Sequence, residues 1–161
     1  MIIQIESRES VELRAKQPFP PHTALITITN IDYDFAKLEN KPWQTLRLQF
    51  DDVSSDLFTD VLGRKPTADE FKKLAKKYHM FNYEQATEVA EFVEHIQNNG
   101  AEVLVCQCEY GQSRSAGIAA AVRQWLYSDA IEIFTDDRYY PNKAVYRMTL
   151  TAIQQREYNL F

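Results

Sequence analysis

The chain opens on a short apolar run, residues 2–5, and passes at once into "SRESVELRAK", where Ser7 and Glu9 suit a helix start. Pro18, Pro20 and Pro21 interrupt any regular element after it. "TALITIT" at 23–29 is rich in β-branched residues and reads as a strand. "QTLRLQF" at 44–50 is a second, with Leu46, Leu48 and Phe50 alternating with polar neighbours. Residues 53–66 read as a loop ending in Gly63 and Pro66. Thr67 and Glu70 then stand at capping-box spacing and start a lysine-rich helix that runs to about Tyr78. Asn82 and Gln85 repeat that spacing ahead of Ala86, Val89, Ala90, Val93 and Ile96, one helical face that Asn99 and Gly100 bring to an end. "AEVLVC" at 101–106 predicts a strand, and 118–126 predicts a helix apolar on nearly every side, which marks a central, buried element. A last helix, capped by Asn142, presents Val145, Met148, Ala152 and Ile153 on one face.

Strands that alternate with helices predict an α/β fold with a mainly parallel central sheet flanked by helices on both faces. No internal repeat, low-complexity tract or linker divides the 161 residues, which are expected to form one domain, 1–161. With 45% apolar and 25% charged residues the chain has the composition of a globular protein. Its net charge of −5 argues against a general nucleic-acid or anionic-membrane binder, which needs a basic face. Lys72, Lys73, Lys76 and Lys77 form either a solvated helix face or a patch that steers an anionic substrate. The first residues lack the apolar core of a signal peptide, and no run approaches the ~20 apolar residues of a membrane span, so a cytoplasmic protein without membrane insertion is expected. Cys106 and Cys108 are too few for a disulfide framework and are expected as reduced thiols. A zinc site would need two more ligands, and His22, His79 and His95 show no paired spacing, so no metal or other cofactor is expected.

The chemistry concentrates in "VLVCQCEYGQSRSAGIAAA", residues 103–121, where a β-branched apolar run meets a small polar loop and then an alanine-rich helix. A loop of this length at a helix N-terminus can curl so that its N–H groups converge on a phosphate-sized anion, aided by the helix dipole. Gly111 allows a turn where a side chain would collide. Arg114 can offer a planar bidentate donor to two phosphoryl oxygens. The same field favours the thiolate form of a cysteine at the helix start, which makes Cys108 a candidate nucleophile and Ser115 a candidate hydrogen-bond donor to its sulfur. Cys106 reads as core packing, or alternatively as a redox partner for Cys108.

This Cys-x5-Arg-Ser loop after an apolar strand resembles that of the cysteine-dependent protein tyrosine phosphatases, and the short chain resembles their dual-specificity branch. "LRLQFDDVSSD" is similar to the segment that carries the general-acid aspartate, and "DDRYYPNKAVYRMTLTAIQQ" to the Pro-Asn segment and closing helix. The resemblance runs from about residue 44 onward and implies a tyrosine phosphatase-like fold and the hydrolysis of phosphoric monoesters through a cysteinyl-phosphate. It makes Cys108 the nucleophile and Arg114 the residue that binds phosphate and stabilises the transition state. Glu109, Tyr110, Gly111, Gln112 and Ser113 would supply amides, and Ser115 would assist departure of the sulfur. Asp52 would be the general acid, with the adjacent Asp51 as its competitor. Asn142 either braces the phosphate loop or only caps its helix. A phosphorylated protein or peptide is the expected substrate, on tyrosine or also on serine and threonine. A phosphoinositide or an RNA 5′-phosphate is the alternative substrate, and a catalytically weak module that binds phosphorylated partners is the alternative function. Two features depart from the family pattern. Gln107 stands where histidine usually precedes the nucleophile, and residues 53–80 intervene between the aspartates and Cys108 as a lid or specificity element.

Overall fold

The computed structural model describes residues 1–159, so residues 160 and 161 of the expected 1–161 unit lie outside the described residues. Its strands are β1 (Ile2–Glu6), β2 (Thr23–Thr29), β3 (Gln44–Gln49) and β4 (Val103–Gln107), hydrogen-bonded in the order β1-β4-β2-β3 with every pairing parallel. Around the sheet lie α1 (Arg8–Arg14), α2 (Ser55–Leu62), α3 (Ala68–Lys77), α4 (Tyr83–Asn98), α5 (Arg114–Tyr127), α6 (Ile131–Phe134) and α7 (Lys143–Asn159). Parallel pairing needs crossovers long enough to return over the sheet, and the helices provide them.

The central β2 is buried at every position, as its threonines and isoleucines suit a strand covered on both faces. Strand periodicity divides its side chains. Ala24, Ile26 and Ile28 join Leu104 and Cys106 in a core formed with α4, α5 and α7, while Leu25 and Val105 pack on Val11 of α1 and on Ala36. Three long helices thus cover one face, and a short helix with the 31–40 segment covers the other. The expected α/β architecture is present, with unequal cover on its two faces. No helix among the described residues is long and apolar enough to cross a membrane.

Local signals place most helix boundaries. Thr67 with Glu70 and Asn82 with Gln85 form the reciprocal capping boxes that start α3 and α4, and Ser7 accepts from the Ser10 N–H to start α1. Residues 53–66, expected as a loop, contain α2 instead. Ser54 makes no side-chain capping bond there, so the helix carries little local signal and is held by packing. Phe58 is fully buried, with its ring centroid 5.1 Å from that of Phe71 and 6.1 Å from that of Tyr78, in a small separate core with Val53 and Met80. Gly63, at φ +69°, ends the helix in the left-handed conformation. The structure also adds α6, and it starts α5 at Arg114, ahead of the apolar stretch 118–126.

Because all four strands are parallel, their carboxyl ends share one edge of the sheet, the edge at which open α/β folds bind ligands. That edge carries Ser7 and Arg8 after β1, Asn30 after β2, Phe50 to Asp52 after β3, and the Cys108 loop after β4. The small core around Phe58 sits directly beyond Asp52. Phe58→Ala is expected to destabilise the protein by about 3–5 kcal/mol in urea unfolding, the cost of an emptied aromatic site. A loss below about 1 kcal/mol would contradict the account of α2 as a packing-held helix.

Candidate active site

Residues 108–113 link β4 to α5, and the loop is shaped by where its carbonyls are tied. The Cys108 carbonyl accepts from Gln107 Nε2 at 2.9 Å, and that of Glu109 accepts from the Arg8 N–H at 3.0 Å. The Gln112 carbonyl accepts from the Tyr140 N–H at 2.8 Å, and that of Ser113 from the Asn142 N–H at 3.1 Å and the Gly117 N–H at 2.9 Å. All peptide bonds among the described residues are trans, and in a planar trans unit the N–H points opposite to the carbonyl that precedes it. Each outward-tied carbonyl therefore turns the next N–H inward, at Glu109, Tyr110, Ser113 and Arg114. The N–H groups of residues 109–115 donate to no main-chain acceptor outside regular helix and strand bonding among the described residues. They run directly into the first turn of α5, whose N–H groups have no partner within the helix and whose dipole is positive at that end. The arrangement forms a cup that can receive an oxyanion.

Gly111 makes the loop possible. It sits at φ +65°, and a Cβ there would stand 2.7 Å from the Glu6 carbonyl carbon and 2.8 Å from the Ser7 nitrogen, both rigid main chain. Cys108, 3% exposed, lies at the N-terminus of α5 with its Sγ 3.0 Å from Ser115 Oγ. Arg114, 5% exposed, is turned inward. Its Nη1 donates to Asn30 Oδ1 at 2.7 Å and to the Phe50 carbonyl at 2.8 Å, fixing the guanidinium plane. Its Nε and Nη2 bond to nothing among the described residues and are not sealed from solvent, which leaves free the edge that binds an anion in a bidentate manner.

The two adjacent aspartates face different partners. Asp52 Oδ1 accepts from Ser113 Oγ of the loop at 2.8 Å and from Asn142 Nδ2 at 2.9 Å. Asp51 Oδ1 accepts from the Ile31 N–H at 3.2 Å, in the segment that follows β2. Asn142 joins the start of α7 to Asp52 and the loop. Its Oδ1 accepts the Ala144 and Val145 N–H groups at the start of α7, while its Nδ2 holds Asp52 and the Val53 carbonyl and its N–H holds Ser113. Gly117 of α5 permits that approach, since a Cβ there would lie 2.8 Å from the Asn142 carbonyl oxygen.

Gln107 is fully buried and bonds only neutral groups, accepting from Thr27 Oγ1 at 2.5 Å and donating to the Cys108 carbonyl. Cys106 lies in the main core, and burial, with Cys108 beside it, pushes its thiol far up from the usual cysteine range. Tyr110 and Gln112 project outward from the loop, Tyr110 with 78% of its surface exposed. The side chain of Glu109 is drawn aside by Arg8 Nε at 2.8 Å. Lys72, Lys73, Lys76 and Lys77 are exposed on α3. Asn30, Arg8 and Thr27 were not legible as site residues. Each lies at or near a strand's carboxyl end, far in sequence from Cys108, and only the strand order brings it to the loop.

No family model matches the chain, and no curated protein matches it significantly in sequence. Solved structures do match. The chain is similar to PTPMT1 in complex with PI(5)P, with a TM-score of 0.56 at 13% identity over 99% of this chain and 95% of that one. It is similar to Tk-PTP in the active form, with a TM-score of 0.51 at 13% identity over 97% of this chain and 93% of that one. A human tyrosine phosphatase-like serine/threonine/tyrosine-interacting protein is 20% identical over 86% of this chain and 78% of its own, with a TM-score of 0.48. With its parallel sheet and the loop that joins β4 to α5, the chain has the fold of the cysteine-dependent tyrosine and dual-specificity phosphatases.

Proposed function

We propose that the protein is a phosphoric monoester hydrolase that acts through a cysteinyl-phosphate, with a phosphorylated protein or peptide as substrate. One observation carries the reading: Cys108 sits at the start of α5 within a loop whose N–H groups lack partners among the described residues, beside an arginine that is bonded there at one nitrogen and not at the other two. In this reading the phosphoryl oxygens occupy the cup and the free edge of Arg114, which neutralises charge as it develops in the transition state.

The Cys108 thiolate attacks phosphorus, the bond to the ester oxygen breaks, and Asp52 gives its proton to the departing oxygen. In the second step water attacks phosphorus, the Asp52 carboxylate takes a proton from it, and the phosphorus–sulfur bond breaks to return the thiolate. A thiolate can only accept hydrogen bonds, so the 3.0 Å contact makes Ser115 the donor that stabilises the leaving sulfur. Both donors on Asp52 reach Oδ1, which leaves Oδ2 to carry the transferable proton. This supports Asp52 over Asp51 as the acid.

The surroundings of the cup favour a peptide. Tyr110 and Tyr140 are exposed beside it, and the groove that runs from Glu109 and Tyr110 across α1 brings in Leu13 together with charges of both signs, Glu9 and Glu12 beside Arg8 and Lys16. Exposed tyrosines beside an apolar leucine and charges of both signs suit contact with the residues that flank a phosphorylated side chain. One structural neighbour was solved with PI(5)P, so a phosphoinositide belongs in the substrate panel.

Cys108→Ser should abolish phosphate release from an aryl phosphate in metal-free buffer while phosphopeptide binding persists. Undiminished hydrolysis would remove Cys108 as the nucleophile. Binding without turnover by the unaltered protein, with no iodoacetate labelling of Cys108 at neutral pH, would establish a recognition module instead. Asp52→Asn should lower kcat by about 10²–10⁴-fold, the usual contribution of general acid catalysis, with the larger loss on a poor leaving group. A greater loss in Asp51→Asn than in Asp52→Asn would transfer the role.

A further inference from the structure

We infer that Thr27 is a positioning residue for the phosphate loop, acting through Gln107 to orient the first amide of the cup. The inference rests on the oxyanion-cup reading of residues 108–115. Thr27 and Gln107 are cross-strand partners on β2 and β4, and both side chains are buried. A buried carboxamide can turn over and exchange its oxygen and nitrogen unless its partners forbid it. Here both do. The Cys108 carbonyl can only accept, so at 2.9 Å it requires the Nε2 end of Gln107. The Thr27 hydroxyl, 2.5 Å from Oε1, then supplies the proton that the other end needs.

The Cys108 carbonyl is held in the interior by this chain of two bonds. Because the peptide unit is trans and planar, the Glu109 N–H is sent to the opposite side, into the cup. Glu109 is the first residue after the nucleophile, so its N–H is the donor nearest to the sulfur along the chain. Neither Thr27 nor Gln107 titrates near neutral pH, so the brace is independent of pH. A second threonine on the same strand supplies the control. Thr23 Oγ1 is buried with no hydrogen-bond partner among the described residues, so its removal takes away a hydroxyl and no brace.

The test is calorimetric titration of inorganic tungstate into the unaltered protein, Thr27→Val, Thr27→Ser and Thr23→Val, with thermal melting and kcat measured in parallel. Thr27→Val should weaken tungstate binding about tenfold, the worth of one aligned hydrogen bond, and lower kcat with it. Thr27→Ser and Thr23→Val should stay within about twofold of the unaltered protein in both. The double variant Thr27→Val/Gln107→Met removes both polar partners and should melt closer to the unaltered protein than Thr27→Val does while still binding tungstate weakly, a separation that a purely structural role would not produce. Should Thr27→Val fail to fold, the double variant carries the test. Tungstate affinity unchanged in Thr27→Val or in the double variant would overturn the inference, as would an equal loss in Thr23→Val or no tungstate binding by the unaltered protein. Tungstate binding that falls as expected in a protein without hydrolytic activity would uphold the inference and defeat the hydrolase reading.

Discussion

A main-chain N–H taken out of water must find a partner, and among the described residues the N–H groups of residues 109–115 find none in ordinary turn or loop bonding. The whole site follows from how the fold keeps them that way. A flexible loop would turn its amides toward its own carbonyls and satisfy both. Here the carbonyls are already committed to Gln107, Arg8, Tyr140 and Asn142, which come from three different parts of the chain. The amides are left to water or to an oxyanion, and the cost of holding them is spread across the sheet, α1, α5 and the start of α7.

That constraint explains several residues that otherwise look unrelated. Gly111 lets the loop lie against the main chain of Glu6 and Ser7, and Gly117 lets α5 approach Asn142 closely enough for the Ser113 carbonyl to be held. Arg8 links four elements: its N–H holds the Glu109 carbonyl, and its side chain reaches Glu109, Thr29 and the Asp34 carbonyl. Buried and partly buried polar bonds of this kind specify one loop conformation, since each partner lost leaves another group unsatisfied. The segment 53–80 packs around Phe58 on its own small core and meets the site through Val53 and Asp52. The acid candidate therefore sits at a junction between two hydrophobic clusters, tied to the loop by Ser113 and Asn142.

Much of this was legible in the sequence wherever the determinant is local. Capping boxes at Thr67 and Asn82, the alternation in β3 and the all-round apolar character of α5 are short-range signals, and each element forms where its pattern lies. The turn at Gly111 and the pairing of Cys108 with Ser115 were also readable, because the loop is contiguous. α2 was not, because Ser54 gives it no side-chain cap and its stability comes from Phe71 and Tyr78, residues that lie beyond a glycine and a proline. Asp51 and Asp52 could not be separated by pattern, since only tertiary hydrogen bonds distinguish them. Asn30, Thr27 and Arg8 were invisible for the same reason: a strand order of β1-β4-β2-β3 makes neighbours of residues about eighty to one hundred positions apart, and no local pattern encodes that order.

The cup is tested most directly by following each backbone amide in solution as inorganic phosphate is added to uniformly nitrogen-labelled protein. Saturable shifts should concentrate on the N–H groups of residues 109–115 and on Nε of Arg114, with little change on the outer face of α3. Shifts confined to the α3 lysines, or none in the loop at saturating phosphate, would contradict the account.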